Sequence, residues 1–369
     1  MLSAAGVACF TPVDVIYFQN LGYSLSFVGL MMAAFNLAVT IAELPFAIVF
    51  DRYSNKLALQ IGNLLRMIAF AIFFFNLNQP SLVLAQVIAG FAVAAMSGTS
   101  NALIVNQIQN IDSDKVLSAF ARISYLSAAA AILGGVIGVF IFAHNPRYIW
   151  VAALCFFIAA GIVAFTFTET KADIEQISLG AFMKKAAKTV SNMRALALII
   201  TNGAAVAPFI LWQIKFNQVS LTFLVFGFIG MQLATLFGVS LLKTFRVRAN
   251  HVAIVAFLNI GAVIGFALAS GEVAVWVTFV LHVALQGMLA MLVDAIFHAK
   301  IPNDVRATSG SVVSLADSLI VAVCAPGIAL VAEQFGFTAA IIISCGIYAI
   351  ITLMHVKALF TKETEEIKV

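Results

Sequence analysis

Long runs of apolar residues follow one another along this chain, and short clusters of polar and charged residues separate them. Most runs approach the ~20 residues that an α-helix needs to cross the hydrocarbon core of a bilayer. Open sheets would leave backbone groups unpaired in lipid, and barrel strands would be shorter and would alternate in polarity, so we expect helices. The pattern predicts twelve helical segments, at about residues 5–22, 25–50, 57–76, 80–108, 117–143, 148–168, 194–214, 221–243, 251–270, 273–298, 308–332 and 338–358.

Composition places this chain in a membrane. Hydrophobic residues make up 63% of the 369 residues and charged residues only 10%, which is more apolar surface than a soluble domain of this size could bury. The four cysteines fall inside predicted spans without metal-ligand spacing, so we expect no metal site and no disulfide framework. They are Cys9, Cys155, Cys324 and Cys345. The sequence also predicts no cofactor, and the net charge of +4 does not indicate nucleic-acid binding.

The basic residues fall almost entirely on one side of the predicted spans. The opposite side holds only Arg147 and Lys215, and Arg66 lies within a span. Because positive charge is retained in the cytoplasm, we expect a multi-pass protein of the inner (plasma) membrane with both termini cytoplasmic. The predicted cytoplasmic set is Arg52, Lys56, Lys115, Arg122, Lys171, Lys184, Lys185, Lys188, Arg194, Lys243, Arg246, Arg248, Lys300, Arg306, Lys357, Lys362 and Lys368.

The order of segments predicts two halves. We expect an N-terminal six-helix bundle at 1–168, a cytoplasmic linker with an amphipathic helix at 169–193, a C-terminal bundle at 194–358 and a tail at 359–369. Short matches at an offset of 196 residues, such as Ser24-Leu-Ser-Phe with Ser220-Leu-Thr-Phe, indicate a repeat, although chance similarity between apolar segments is an alternative. Parallel repeats of this kind place a binding site at mid-membrane. We expect a monomer.

The first segment is unusual. It contains Pro12 and Asp14, and no charged residue precedes it. A cleaved signal peptide would need a charged region at its start. Two interpretations therefore stay open, a short first helix or a chain whose true start lies upstream.

Three motifs carry a family resemblance. The turn after the second predicted segment contains Asp51-Arg52-Tyr-Ser-Asn-Lys56. The fourth predicted segment (helix four) contains Ser97-Gly-Thr-Ser-Asn101-Ala. The eleventh predicted segment (helix eleven) is preceded by Ile301-Pro-Asn-Asp-Val-Arg-Ala-Thr308. Together with the twelve segments, these motifs resemble the major facilitator superfamily over nearly the whole chain. The resemblance implies an all-α membrane protein in which two pseudo-symmetric six-helix bundles rock about a central cavity.

The same resemblance implies a role for the turn residues. Asp51 would cap the start of helix eleven as a conformational latch, with Arg52 and Lys56 as neighbouring charges, although these charges could simply hold the turn in the cytoplasm. Two family motifs are incomplete. Gln86 through Gly90 lacks the arginine of many proton-driven members, and Gly134-Gly-Val-Ile-Gly138 lacks the proline of drug–proton exchangers. Both departures argue against the narrow label of proton-coupled drug exporter.

Ionisable residues inside the spans are candidates for function, because a charge at the bilayer centre costs about 2.5–3.5 kcal/mol on insertion scales. Glu43 and Arg66 both lie about 12–13 Å from the cytoplasmic turn, so we predict an intramembrane ion pair, with direct substrate or proton binding as the alternative. Asp294 and His298 form an i, i+4 pair that predicts a contact near a helix end.

Three further residues are candidates for proton coupling. Asp14 and Asp317 could each couple transport to a proton or cation, or could be hydrogen-bonded structural acids, with Ser314 as a neighbour of Asp317. His282 could relay protons, because histidine titrates near neutral pH, or could be a neutral hydrogen-bonding residue.

Uncharged polar residues could line a solute cavity or could bind neighbouring helices. The candidates are Gln19, Asn36, Asn101, Asn202, Gln213, Gln232 and Gln286. Trp212 is predicted to be an interfacial anchor, with substrate stacking as the alternative, and Lys215 is predicted to extend to the outer membrane surface.

These features favour a secondary active transporter that moves a small solute through the lipid bilayer by alternating access. Proton-coupled efflux of drug-like compounds is one hypothesis, and transport of a metabolite, with or without a proton, is the other. A membrane scaffold or sensor that has lost transport is a third. An enzyme is not expected, because the chain shows no nucleotide loop, no clustered metal ligands and no nucleophile with a base.

Overall fold

The computed structural model describes residues 1–97, 113–167, 193–242, 249–299 and 306–360. Every regular element in this part of the chain is an α-helix. The helices are α1 (Leu2–Ala8), α2 (Asp14–Asn20), α3 (Leu25–Tyr53), α4 (Asn55–Phe75), α5 (Gln79–Met96), α6 (Ser113–His144), α7 (Tyr148–Phe165), α8 (Met193–Asn217), α9 (Phe223–Leu242), α10 (Ala249–Leu268), α11 (Glu272–Ala299), α12 (Arg306–Phe335) and α13 (Phe337–Phe360).

Most of these helices can span a bilayer. Within the described residues, ten helices are long and apolar enough to do so, and α9 contributes a shorter apolar stretch, Phe223–Phe237. The predicted all-helical membrane fold is therefore confirmed. The count of twelve spans stays a prediction, because the first predicted segment consists of two short helices and the described side chains of α9 cover only Phe223–Phe237.

The chain divides into two compact units. Unit 1 comprises Met1–Leu21 and Leu30–Gln176, and unit 2 comprises Gly22–Gly29 and Ile177–Val369. In unit 1, α4 packs against α5 and α7, and α1 packs against α6 and α7. In unit 2, α10 packs against α11 and α13, while α8 packs against α11, α12 and α13. The predicted linker at 169–193 lies almost wholly outside the described residues, so its amphipathic helix and its bounds stay predictions.

The first predicted segment is two short helices rather than one. α1 ends at Ala8 and α2 begins at Asp14, with Pro12 between them. Proline has no backbone N–H to continue a helix, and its ring disfavours helical geometry at the preceding residue. The carbonyl of Val7 accepts hydrogen bonds from both the backbone N–H (3.2 Å) and the hydroxyl (2.9 Å) of Thr11, which satisfies backbone groups at the break.

Two glycines of α6 allow this broken segment to pack closely. A Cβ added at Gly134 would lie 2.3 Å from the carbonyl oxygen of Ala5, and one added at Gly138 would lie 1.9 Å from that of Cys9. Small residues four positions apart let membrane helices approach until their backbones touch. The Gly134–Gly138 stretch, which lacks the exporter proline, therefore serves as the packing surface for α1 and the turn that follows it.

Each unit has an aromatic core. In unit 1, Trp150 is buried and its ring lies 4.6 Å from Phe73 and 5.1 Å from Phe10, measured between ring centroids. In unit 2, Trp212 is only 2% exposed and stacks on Phe279 with ring centroids 5.5 Å apart. The prediction that Trp212 anchors the membrane interface is wrong, because its indole is buried among other aromatic rings.

The last two helices are joined by a single residue. α12 ends at Phe335, α13 begins at Phe337, and Gly336 between them has φ of 90°. Residues with a side chain rarely adopt this left-handed backbone conformation, so glycine is the residue that fits here.

Replacing Gly138 with alanine should destabilise the protein. The new methyl group would overlap the Cys9 carbonyl, and overpacking of this kind costs about 1–3 kcal/mol. Thermal unfolding of purified protein should show a lower midpoint for Gly138→Ala. The control is Gly161→Ala in α7, where an added Cβ meets nothing within 4 Å. Equal midpoints for the two variants would contradict the close approach.

Candidate functional site

Unit 2 contains a buried polar network across three helices. Tyr348 on α13 donates its hydroxyl to Oε1 of Gln286 on α11 at 2.7 Å, and Nε2 of Gln286 donates to the backbone carbonyl of Thr201 on α8 at 3.2 Å. All three residues are buried. The buried Gln286 amide thus links α8 to α13. The predicted cavity residue Gln286 is engaged in helix-to-helix hydrogen bonds.

His282 lies one helical turn before Gln286 and is fully buried. Its Nδ1 lies 2.9 Å from Oδ1 of Asn259 on α10, so this ring nitrogen carries the proton and donates it. Nε2 of His282 has no hydrogen-bond partner within the described part of the chain. Phe209 and Tyr348 lie beside the imidazole, with ring centroids 6.0 and 6.2 Å away. This arrangement suits a neutral hydrogen-bonding histidine, and the relay hypothesis stays a prediction.

A carboxylate of unit 2 lies close to a side-chain amide. Asp317 on α12 is half-buried, and the side chain of Asn202 on α8 forms a hydrogen bond with it. Asp294 on α11 is near enough to interact electrostatically with Asp317. Oδ1 of Asp317 is buried and has no hydrogen-bond partner among the described residues. The structure therefore brings together Asp317 and Asn202, which the sequence singled out separately, and Asn202 takes the place expected of Ser314.

In unit 1, Asp14 is the first residue of α2. Its Oδ1 accepts a hydrogen bond from the backbone N–H of Val15 at 2.9 Å, and the side chain is half-buried. A carboxylate at this position satisfies one backbone donor that the helix start leaves without an intrahelical partner. Asp14 therefore has a structural role, because it satisfies a backbone donor at the start of α2, after the break between α1 and α2.

The predicted ion pair between Glu43 and Arg66 is absent among the described side chains, so this prediction is wrong for the structure. Oε1 of Glu43 accepts a hydrogen bond from the hydroxyl of Ser97 at 3.1 Å. The guanidinium of Arg66 lies over the ring of Phe157 on α7, 5.0 Å from its centroid. The two residues therefore face different neighbours.

The predicted latch residues are only partly described. Asp51 and Arg52 lie in the last turn of α3, and their side chains are outside the described residues. Lys56 donates from Nζ to the carbonyl of Phe165 at 2.7 Å, and Phe165 is the last residue of α7. A cation at a helix C-terminus is favourable because carbonyls there lack intrahelical partners. Lys56 therefore stabilises the end of α7, and the latch role of Asp51 and Arg52 stays a prediction.

The other candidate amides lie on several helices, and their assignment to a solute cavity stays a prediction. Asn36 donates to the carbonyl of Met32 on its own helix at 2.9 Å, whereas Gln213 is buried. Gln19 and Gln232 are half-buried. Asn101 and the side chain of His298 lie outside the described residues, so neither the Asn101 prediction nor the Asp294–His298 contact is tested.

Lys215 lies near the end of α8, and its extension to the outer membrane surface stays a prediction. Its Nζ donates to the carbonyl of Ala267 at 3.3 Å and lies 5.2 Å from the centroid of the Phe337 ring. The ammonium group thus finds partners at the end of α10 and the start of α13. These contacts let the cation remain among apolar residues.

Three residues that form hydrogen bonds with Gln286 or His282 were not anticipated from the sequence. They are Thr201, Asn259 and Tyr348. A threonine or an asparagine in an apolar run is common, and nothing in the local pattern marks it. The available signal was the i, i+4 spacing of His282 and Gln286, which places both on one face of α11 and implies polar partners opposite that face.

This fold, with long apolar helices and sparse polar side chains inside them, is that of a multi-pass membrane transporter. The chain belongs to the Major Facilitator Superfamily, whose family profile matches residues 1–276. No protein of curated function has a sequence similar enough to match. Solved structures with the same fold include a nucleoside transporter, a POT family transporter and a fucose:proton symporter.

The nucleoside transporter NupG is 13% identical, with a TM-score of 0.78 over 98% of this chain and 97% of that one. A POT family transporter in complex with 5-aminolevulinic acid is 11% identical, with a TM-score of 0.77 over 97% and 94%. The E. coli fucose:proton symporter FucP is 15% identical, with a TM-score of 0.61 over 97% and 96%. Identities this low show a shared fold alone, and that fold is the one secondary transporters use.

Replacing Tyr348 with phenylalanine should lower the stability of unit 2. The substitution keeps the ring and leaves Oε1 of the buried Gln286 without its donor, which costs about 1–3 kcal/mol. The thermal midpoint of purified protein should fall. Tyr125→Phe is the control, because Tyr125 on α6 is 55% exposed and its hydroxyl loses no buried partner. A midpoint for Tyr348→Phe equal to that of the control would show that the network contributes nothing.

Proposed function

We propose that this protein is a secondary active transporter that carries a small polar solute across the plasma membrane by alternating access, with a proton as the coupling ion. The proposal rests on the environment of Asp317. Its carboxylate lies inside a membrane-spanning helix, half-buried, beside Asn202, and its Oδ1 is without a partner among the described residues.

A carboxylate in this position is suited to coupling. Burying a charge is costly unless the group is paired, and the described neighbours of Asp317 include an amide and a second acid but no cation. Binding a proton would remove the charge, and the conformation in which Asp317 is least hydrated would then become more favourable. A ligand shifts a conformational equilibrium only through such a difference between two states. Asp14 is a second coupling candidate, at the start of α2.

The solute class follows from the polar groups that accompany the acid. Asn202 offers both a donor and an acceptor beside Asp317, which suits a solute with hydroxyl or amide groups. Trp212, which could have stacked on an aromatic drug, is buried in the core of unit 2. The transporters of similar fold are described as carrying nucleosides and fucose, which are polar metabolites.

Export of hydrophobic or cationic compounds is the second candidate function. The specific observation in its favour is again Asp317, since a carboxylate with an unpartnered oxygen could bind a cationic compound directly. Transport assays in proteoliposomes separate the two proposals. The panel is uridine, a dipeptide, L-fucose and ethidium, each tested with and without an imposed pH gradient while internal pH is recorded. Movement of ethidium alone would favour export, and no movement of any probe would favour a scaffold or sensor.

Replacing Asp317 with asparagine should uncouple transport. A gradient of one pH unit supports about tenfold accumulation of a solute carried with one proton. Asparagine keeps the size of the side chain but cannot take up the proton, so accumulation of the transported probe should fall to about the external concentration. Exchange of labelled for unlabelled solute should persist, because it needs no net proton movement.

Two further variants complete this experiment. Glu272→Gln removes an exposed acid at the start of α11 and should accumulate solute as the unaltered protein does. Asp14→Asn tests the second candidate acid. Continued accumulation by both Asp317→Asn and Asp14→Asn would refute the assignment of coupling to these acids.

The distribution of Lys and Arg predicts that both termini are cytoplasmic. Green fluorescent protein fused after Val369 should fluoresce in a bacterial host, whereas alkaline phosphatase fused at the same position should be inactive. A fusion truncated after Arg147, in the turn between α6 and α7, should show the opposite pattern. Active phosphatase at Val369 would reverse the proposed orientation.

A further inference from the structure

The first turn of α3 makes a specific contact inside unit 2. The backbone N–H of Ser26 donates to Oε2 of Glu333 on α12 at 2.9 Å, and the hydroxyl of Ser26 donates to the same oxygen. The hydroxyl of Ser24 accepts from the backbone N–H of Phe27 at 3.1 Å. Two of the backbone donors that a helix start leaves unpaired are therefore satisfied, one of them by a carboxylate from another helix.

Close packing reinforces this contact. A Cβ added at Gly29 would lie 2.7 Å from Cβ of Ala329 and 2.8 Å from the carbonyl oxygen of Ala325. Ala325, Ala329 and Glu333 are spaced four residues apart, so they lie along one face of α12. Gly29 and Ser26 meet that face at successive turns. The start of α3 thus packs against two turns of α12, and Glu333 provides the polar end of the contact.

Helix α3 is divided between the two units. Its residues to Gly29 belong to unit 2 by their contacts, and its residues from Leu30 belong to unit 1. A carboxylate at a helix N-terminus is favoured by the partial positive charge there. We propose that Glu333 and the first turn of α3 form a releasable carboxylate clamp, and that the clamp must open for residues 22–29 to leave unit 2 during the transport cycle. This role in a cycle rests on the proposed function, whereas the clamp itself rests on the contacts.

Hydrogen exchange of the purified protein in nanodiscs, followed by mass spectrometry, tests the clamp without any solute. Glu333→Gln keeps an acceptor oxygen for the Ser26 amide but removes the negative charge that strengthens the hydrogen bond, so it should speed exchange in peptides that cover residues 22–29. We expect a roughly tenfold increase, the ratio that corresponds to about 1.4 kcal/mol. Glu272→Gln, which removes another exposed acid near the end of a helix, should leave these peptides unchanged. Equal exchange in the two variants would overturn the clamp.

Ser26→Ala is a second variant that distinguishes loss of the clamp from general misfolding. It removes the hydroxyl donor and keeps the backbone N–H, so the exchange rate of peptides covering residues 22–29 should rise less than in Glu333→Gln. Exchange as fast in Ser26→Ala as in Glu333→Gln would contradict the assignment of the backbone bond. If a probe from the transport panel is carried, its turnover should change in Glu333→Gln and not in Glu272→Gln. Faster exchange without any change in turnover would overturn the role in transport and leave the clamp standing.

Discussion

The bilayer imposes one constraint on which the rest of this structure depends, because a polar group inside it must find its partner within the protein. Gln286 meets this constraint with two partners on two other helices, and His282 meets half of it through Asn259. Glu43 uses the hydroxyl of Ser97, and Arg66 uses the face of Phe157. Each bond between helices fixes their rotation, so the same groups that are costly in lipid also determine how the helices pack.

Close backbone contact at glycine residues is the second feature that determines how the helices pack. Gly134 and Gly138 bring α6 against the broken first segment, and Gly90 on α5 comes close to the backbone of Phe35 on α3. A helix that packs through glycine loses the width of a side chain and gains many weak contacts along its length. This close approach lets unit 1 accept two short helices where the sequence predicted one segment, because α6 covers the turn between them.

Much of the fold could be predicted from the sequence, since long apolar runs determine where membrane helices lie. The helix α7, for example, begins at the predicted residue 148, and α13 differs from its predicted bounds by two residues or fewer. The pairing of Glu43 with Arg66 failed because depth along a helix does not specify rotation about its axis. The position of Trp212 failed for a related reason, since distance from a predicted boundary does not show which side of the helix faces the core. The association of Asp317 with Asn202 needed three-dimensional contacts between α8 and α12.

The single glycine between α12 and α13 gives the end of unit 2 a mechanical property. With only Gly336 between them, the two helices have no slack, and movement at the end of α12 is passed directly to the start of α13. Glu333 lies three residues before this joint, and Tyr348 lies on the helix that follows it. A longer connector would absorb small displacements of α12, whereas a one-residue connector leaves little chain to absorb them before α13.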